Sequence, residues 1–123
     1  MSDLYPATIE DVKIRFQTIF ESVADIHRLR YGDKPKPNYT QTLPSLETLK
    51  NDEYITEYLF ENLSRLYDLY KKIRKRKEAS QKKLDSIYAL QTIILTDLYE
   101  EIKALIEEDQ EHSLETLWKE LLG

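Results

Sequence analysis

The chain has 123 residues, 41% hydrophobic and 33% charged, enough for one domain with a modest core and too apolar for a disordered one. It has no cysteine, which excludes disulfides, cysteine nucleophiles and thiolate metal sites. The net charge of −5 is unevenly spread: residues 71–83 hold eight basic groups and one acidic, a local +7, so the other 110 residues carry −12.

Residues 1–7 are expected as an extended lead. They show neither the basic start nor the apolar run of a signal peptide. No apolar run approaches the length that spans a bilayer. The expectation is an intracellular protein, cytoplasmic or nuclear, without a membrane partner. Thr8 followed by Asp11 has the form of a helix start, with a capping hydroxyl and a carboxylate near the positive end of the dipole. Ile9, Val12, Phe16, Ile19, Phe20, Val23 and Ile26 keep helical spacing, which predicts a first helix over 9–31. Gly32 is placed to end it in the left-handed conformation.

Residues 32–45 contain Pro35, Pro37 and Pro44 and are expected as a crossover loop. Ser45 can cap a short helical turn over 46–50. Asn51 and Asp52 are expected to open a second long helix reaching at least Arg76. Its apolar stripe is Ile55, Leu59, Leu63, Leu66, Tyr70 and Ile73. A third stripe follows in Leu84, Ile87, Ile94, Leu98, Ile102 and Leu105, predicting a helix over 81–109. Ser113 would then cap a short last helix bearing Leu114, Leu117, Trp118, Leu121 and Leu122. That segment either closes the bundle or docks onto another subunit.

Between the two long stripes lies the basic segment 71–83. It is either a turn or the middle of one continuous, coiled-coil-like helix of about 80 Å, because the stripes stay in phase across it. The fold class expected is all-α: a bundle of three long helices plus a short C-terminal one in a single domain.

Enzymatic constellations are nearly absent from the sequence. His27 borders the apolar face of the first helix and His112 sits in an acidic run, so neither has a catalytic partner in view. No Glu-x-x-His pair exists for a bundle-core metal site, and two glycines cannot form a phosphate loop. No cofactor and no catalytic residue are expected. The chain is read as a non-catalytic subunit, a scaffold, adaptor or regulator that binds a protein partner or its own copy. Tyr54, Tyr58, Tyr67, Tyr88, Tyr99, Trp118 and Leu121 are the candidate contacts, since tyrosine and tryptophan suit half-buried interfaces. Lys71, Lys72, Arg74, Lys75, Arg76, Lys77, Lys82 and Lys83 are candidates for an acidic partner or for phosphates.

Leu63-Ser64-Arg65-Leu66-Tyr67-Asp68-Leu69-Tyr70-Lys71-Lys72-Ile73-Arg74-Lys75-Arg76-Lys77, followed by Leu95-Thr96-Asp97-Leu98-Tyr99-Glu100-Glu101-Ile102, resembles the helical A-domain of GINS replication-complex subunits. The similarity covers less than half the chain, and that family's small β-domain has no counterpart here. It implies the alternative role, a DNA-replication component whose basic segment contacts phosphates.

Overall fold

The computed structural model describes residues 6–122 and is an all-α helical bundle, with no strand among the described residues. Four helices follow one another: α1 (Ile9–Tyr31), α2 (Tyr39–Asn51), α3 (Glu57–Ile73) and α4 (Gln81–Leu122). Each packs on its neighbours in chain order and α1 closes the ring on α4, so the core lies between all four.

The first helix forms as its sequence predicts. Asp11 N donates to Thr8 Oγ1 at 3.1 Å and Thr8 N donates to Asp11 Oδ2 at 3.0 Å, a reciprocal capping box. The Thr8 backbone N–H first, and the Thr8 hydroxyl second, hold the Asp11 carboxyl below its usual range. Gly32 ends the helix at φ 90°, where its N–H reaches the Arg28 carbonyl at 2.8 Å. Val12, Phe16, Ile19, Phe20, Val23 and Ile26 are buried along one side.

The segment expected as a loop over 32–45 is helical from Tyr39 onward. Asn38 caps α2 by accepting from Gln41 N at 2.8 Å, and Pro44 sits inside the helix on its solvent side. The true connection is Gly32–Asn38. Lys34 anchors it back to Glu21 and Asp25 of α1, at 2.5 and 3.0 Å. The short helix of the bundle is therefore the second, not the last.

Asn51 and Asp52 do not start α3. They close α2: Tyr54 N donates to Leu49 O at 2.9 Å and Glu53 N to Lys50 O at 3.0 Å, with Glu53 left-handed at φ 61°. This is a Schellman motif. Thr56 then caps α3 by accepting from Leu59 N at 3.1 Å. The helix ends at Ile73 rather than Arg76. Residues 74–80 form a turn, so the continuous helix through 73–84 does not occur. Arg76 O in that turn accepts from Lys13 Nζ at 2.8 Å.

No break separates 109 from 113. The helix begun at Gln81 runs unbroken through Leu122, 42 residues and about 63 Å at 1.5 Å per residue. Leu84, Ile87, Ile94, Leu98 and Leu105 are buried against the bundle. Gln91 is buried among them and its Nε2 donates to Val12 O at 2.9 Å, tying α4 to α1. Leu105 is the last buried residue of α4 among those whose side chains are described, and residues 106–108 and 116–122 are exposed. The capping role expected of Ser113, and the surroundings expected for His112 and Leu114, lie outside the residues whose side chains are described.

Candidate interaction surface

The structure divides the predicted tyrosine contacts. Tyr67 is core, not interface. It is 1% exposed, and its hydroxyl lies 2.6 Å from Thr42 Oγ1. The Thr42 hydroxyl already donates to Asn38 O at 2.7 Å, so Tyr67 is the donor to Thr42. Burial pushes the Tyr67 phenol well above its ordinary range. Its ring meets Phe20 edge-on at 5.1 Å, within a cluster that also holds Phe16, Tyr39 and Tyr70. Tyr67→Phe should cost about 1 kcal/mol of stability, the net worth of one buried hydrogen bond, and leave association with any partner unchanged. Urea unfolding and a binding titration of the same variant check the two halves separately.

Tyr54 is also placed differently from the expectation. It sits in the corner before α3, so it shares no helical face with Tyr58. Its ring is half-buried between Tyr31 at 5.8 Å and the Arg30 guanidinium at 4.2 Å. Tyr88 is half-buried under Arg15, whose guanidinium lies 3.7 Å from the ring centre. Tyr58 and Tyr99 do face solvent, 64% and 67% exposed.

The larger unpartnered surface is the outer face of α4. Ile93 is 51% exposed, and at the far end Trp118 and Leu121 are 60% and 71% exposed, flanked by exposed Leu117 and Leu122. The fold leaves this segment open rather than closing the bundle with it. Sequence reasoning had named Trp118 and Leu121 but missed Ile93. The signal was weak, because Ala89 and Ile93 lie one turn apart but the positions that continue their face, Thr96, Glu100 and Lys103, are polar. Near the start of α4, Pro6, Ala7, Tyr88, Ala89, Thr92 and Ile93 line an open groove of about 640 Å³, mostly apolar. Its end is held by Gln81, which donates to Ala7 O at 2.8 Å and to Asp85 Oδ1 at 2.8 Å.

The basic segment is a solvent-facing rim at one end of the bundle. Lys71, Lys72, Arg74, Lys75, Arg76, Lys77 and Lys82 are exposed and Lys83 is half-buried. None of the eight forms an ion pair among the described residues, whereas Lys34 holds two carboxylates. The rim is thus charge without an internal match.

No group of three or more acidic, histidine or cysteine side chains that can hold a metal occurs among the described residues. His27 is a boundary residue, with Nδ1 3.0 Å from Asp33 O and its ring 4.7 Å from Tyr31. A more polar pocket near Arg30, Lys50, Glu53, Glu57 and Glu101 mixes both charges. Its arginine lies over the Tyr54 ring. No helix among the described residues is long and apolar enough to cross a membrane.

No family model matches this chain, no curated protein matches its sequence, and no solved structure matches its fold. The segments that resemble the GINS A-domain fall on α3 with the turn after it and on the middle of α4, two helices that pack together.

Proposed function

We propose that this protein is a non-catalytic interaction subunit whose contact surface is the outer face of α4. The observation that carries the reading is the exposure of Leu117, Trp118, Leu121 and Leu122 in the last turns of a helix that runs unbroken from Gln81 to Leu122. Apolar side chains at three- and four-residue spacing on a free helix end match what helix-to-helix recognition uses. Large rings and leucines of this kind contribute most of an interface's binding energy once water is excluded around them. The tyrosine-rich face expected from sequence is a minor part of that surface, with Tyr99 on it and Tyr58 elsewhere.

A second reading draws on the unpaired basic rim at 71–83, which suits phosphates or an acidic protein surface. The two differ in their response to salt, because apolar contact persists when ionic contact is screened. Affinity capture from the native host, with the wild type and with Leu117→Glu/Leu121→Glu, separates them. The α4 reading expects a stoichiometric protein that stays bound at high salt and is lost with the double variant. Capture that vanishes at high salt, survives the α4 change and disappears with Arg74, Lys75, Arg76 and Lys77 changed to Glu supports the rim and overturns the α4 reading.

A further inference from the structure

The groove at the start of α4 has walls of unequal length. Its α4 wall climbs about 18 Å from Gln81 to Ile93. Two residues before α1, Pro6 and Ala7, line it from the other side, and two residues span only about 7 Å even when fully extended. The upper part of the groove, at Ala89, Thr92 and Ile93, is exposed, with Ile93 at 51%.

The direction of the chain at Ala7 shows what continues the short wall. The Ala7 carbonyl accepts from Gln81 Nε2 at 2.8 Å, and the Ala7 N–H donates to Asp85 Oδ1 at 3.3 Å. Asp85 lies one turn further along α4 than Gln81. Followed backwards from Ala7 to Pro6, the chain therefore climbs α4 towards Ala89 and Ile93. Tyr5 and Leu4 come next in that direction, outside the described residues. Tyr5 precedes a proline, which biases its backbone to the extended form. An extended chain advances about 3.3 Å per residue, and alternate residues share a side. That sets Leu4 about 7 Å beyond Pro6 and on the same side as Pro6, the side that lines the groove. The rise from Ala89 to Ile93 is about 6 Å.

We propose that the groove is occupied by the chain's own segment Leu4–Tyr5, laid antiparallel along α4 with the Leu4 side chain against Ala89 and Ile93. The groove is mostly apolar, and a leucine covers and is covered by such a surface. The ordering cost is small, because Ala7 is already held by two hydrogen bonds and proline fixes its own φ. Only two further residues lose freedom. The segment acts as a strap that holds the start of α1 on α4 and closes the groove. A partner arriving at the outer face of α4 then meets the free end at Leu117–Leu122, with Ile93 already covered. This inference stands whether or not that free end binds anything.

The absence of native cysteine makes the placement directly testable. Leu4→Cys/Ile93→Cys and Tyr5→Cys/Ile93→Cys are made in the full chain and oxidised side by side, and disulfide closure is followed by loss of free thiol. The proposal expects the Leu4 pair to close at least tenfold faster. Tyr5 is nearer to the groove in sequence, but adjacent residues of an extended chain face opposite sides. Equal rates, or no closure in either pair, would overturn the proposal. A disulfide that joins two molecules instead of closing within one would give the groove to a second copy and overturn it as well. Stability supplies the second measurement. Leu4→Glu and Ile93→Glu should each lower the thermal midpoint by several degrees, although a change at a position as exposed as Ile93 ordinarily has little effect. In Leu4→Glu/Ile93→Glu the two losses should not add, because each removes the same contact. Losses that add in full, or no loss from either change, would show that Leu4 and Ile93 do not meet.

Discussion

Replacing Phe20 by alanine should lower the unfolding free energy by about 3–5 kcal/mol. Phe20 is 1% exposed on the inner side of α1. Its ring meets Tyr70 at 4.9 Å, Tyr67 at 5.1 Å and Tyr39 at 6.5 Å, each edge-on, and Phe16 at 6.3 Å. It thus joins α1 to α2 and α3 at one point. Edge-to-face pairs add to simple burial, because the positive ring edge meets the negative ring face. The neighbours cannot collapse into the space left behind, since Tyr67 is held by its bond to Thr42. A cavity term therefore adds to the lost transfer energy. A domain of this size has only about 5–15 kcal/mol to lose, so the variant should be marginal or unfolded at 37 °C. Urea unfolding followed by circular dichroism measures it, with Ile14→Ala, a change at a 65% exposed position, as the control that should stay within about 0.5 kcal/mol. A loss below about 1 kcal/mol for Phe20→Ala would mean that this cluster is not the centre of the core.

The same cluster shows what was legible in the sequence. Leu63, Leu66, Tyr67 and Tyr70 are spaced three, four and seven apart, so the helical period already placed Tyr67 on the buried stripe. Reading it as an interface residue gave weight to its hydroxyl, and the hydroxyl is satisfied by Thr42 from another helix. That pairing is long-range and leaves no local trace. The ends of α1 were legible because capping box and left-handed glycine are local chemistry. The turn at 74–80 was legible as one of two choices, because its residues are polar all round and offer no face to pack.

Other features were hidden by competing local signals. The acidic run Glu107-Glu108-Asp109-Gln110-Glu111 reads as a linker, yet these residues are fair helix formers and nothing in them breaks a helix. Asn51 and Asp52 read as a helix start, because both residue types favour the N-cap. The structure uses them as an end because Glu53 accepts a left-handed conformation at some cost in backbone strain. The outer apolar positions of α4 were obscured by the stronger inner stripe. The groove needs Pro6 and Ala7 beside α4, a tertiary contact that no periodicity reports.

The sharpest conflict between local preference and fold is at Pro44, and replacing it by alanine should raise stability by about 2 kcal/mol. Three prolines in ten residues made the segment 35–44 read as a loop. The spacing of Thr42, Leu46 and Leu49, all buried, shows that packing overrode that preference. Pro44 is the sixth residue of α2. At that position its nitrogen lacks the hydrogen that would bond the Thr40 carbonyl, and its ring presses on that same carbonyl. Because both residues are exposed, water can serve the freed oxygen and the helix survives. The interior penalty of proline is nonetheless about 3 kcal/mol relative to alanine. Against this stands about 0.4–1 kcal/mol that proline contributes by stiffening the unfolded chain. The difference leaves about 2 kcal/mol in favour of alanine, and the mutated side chain touches no part of the core. Thermal unfolding should show it as a rise of several degrees, with the outer face of α4 and the basic rim untouched. An unchanged or lowered midpoint would show that α2 is bent to fit the ring, so that the proline sets the angle at which Leu46 and Leu49 enter the core. Proline would then be a requirement of the fold at this position and not a strain within it.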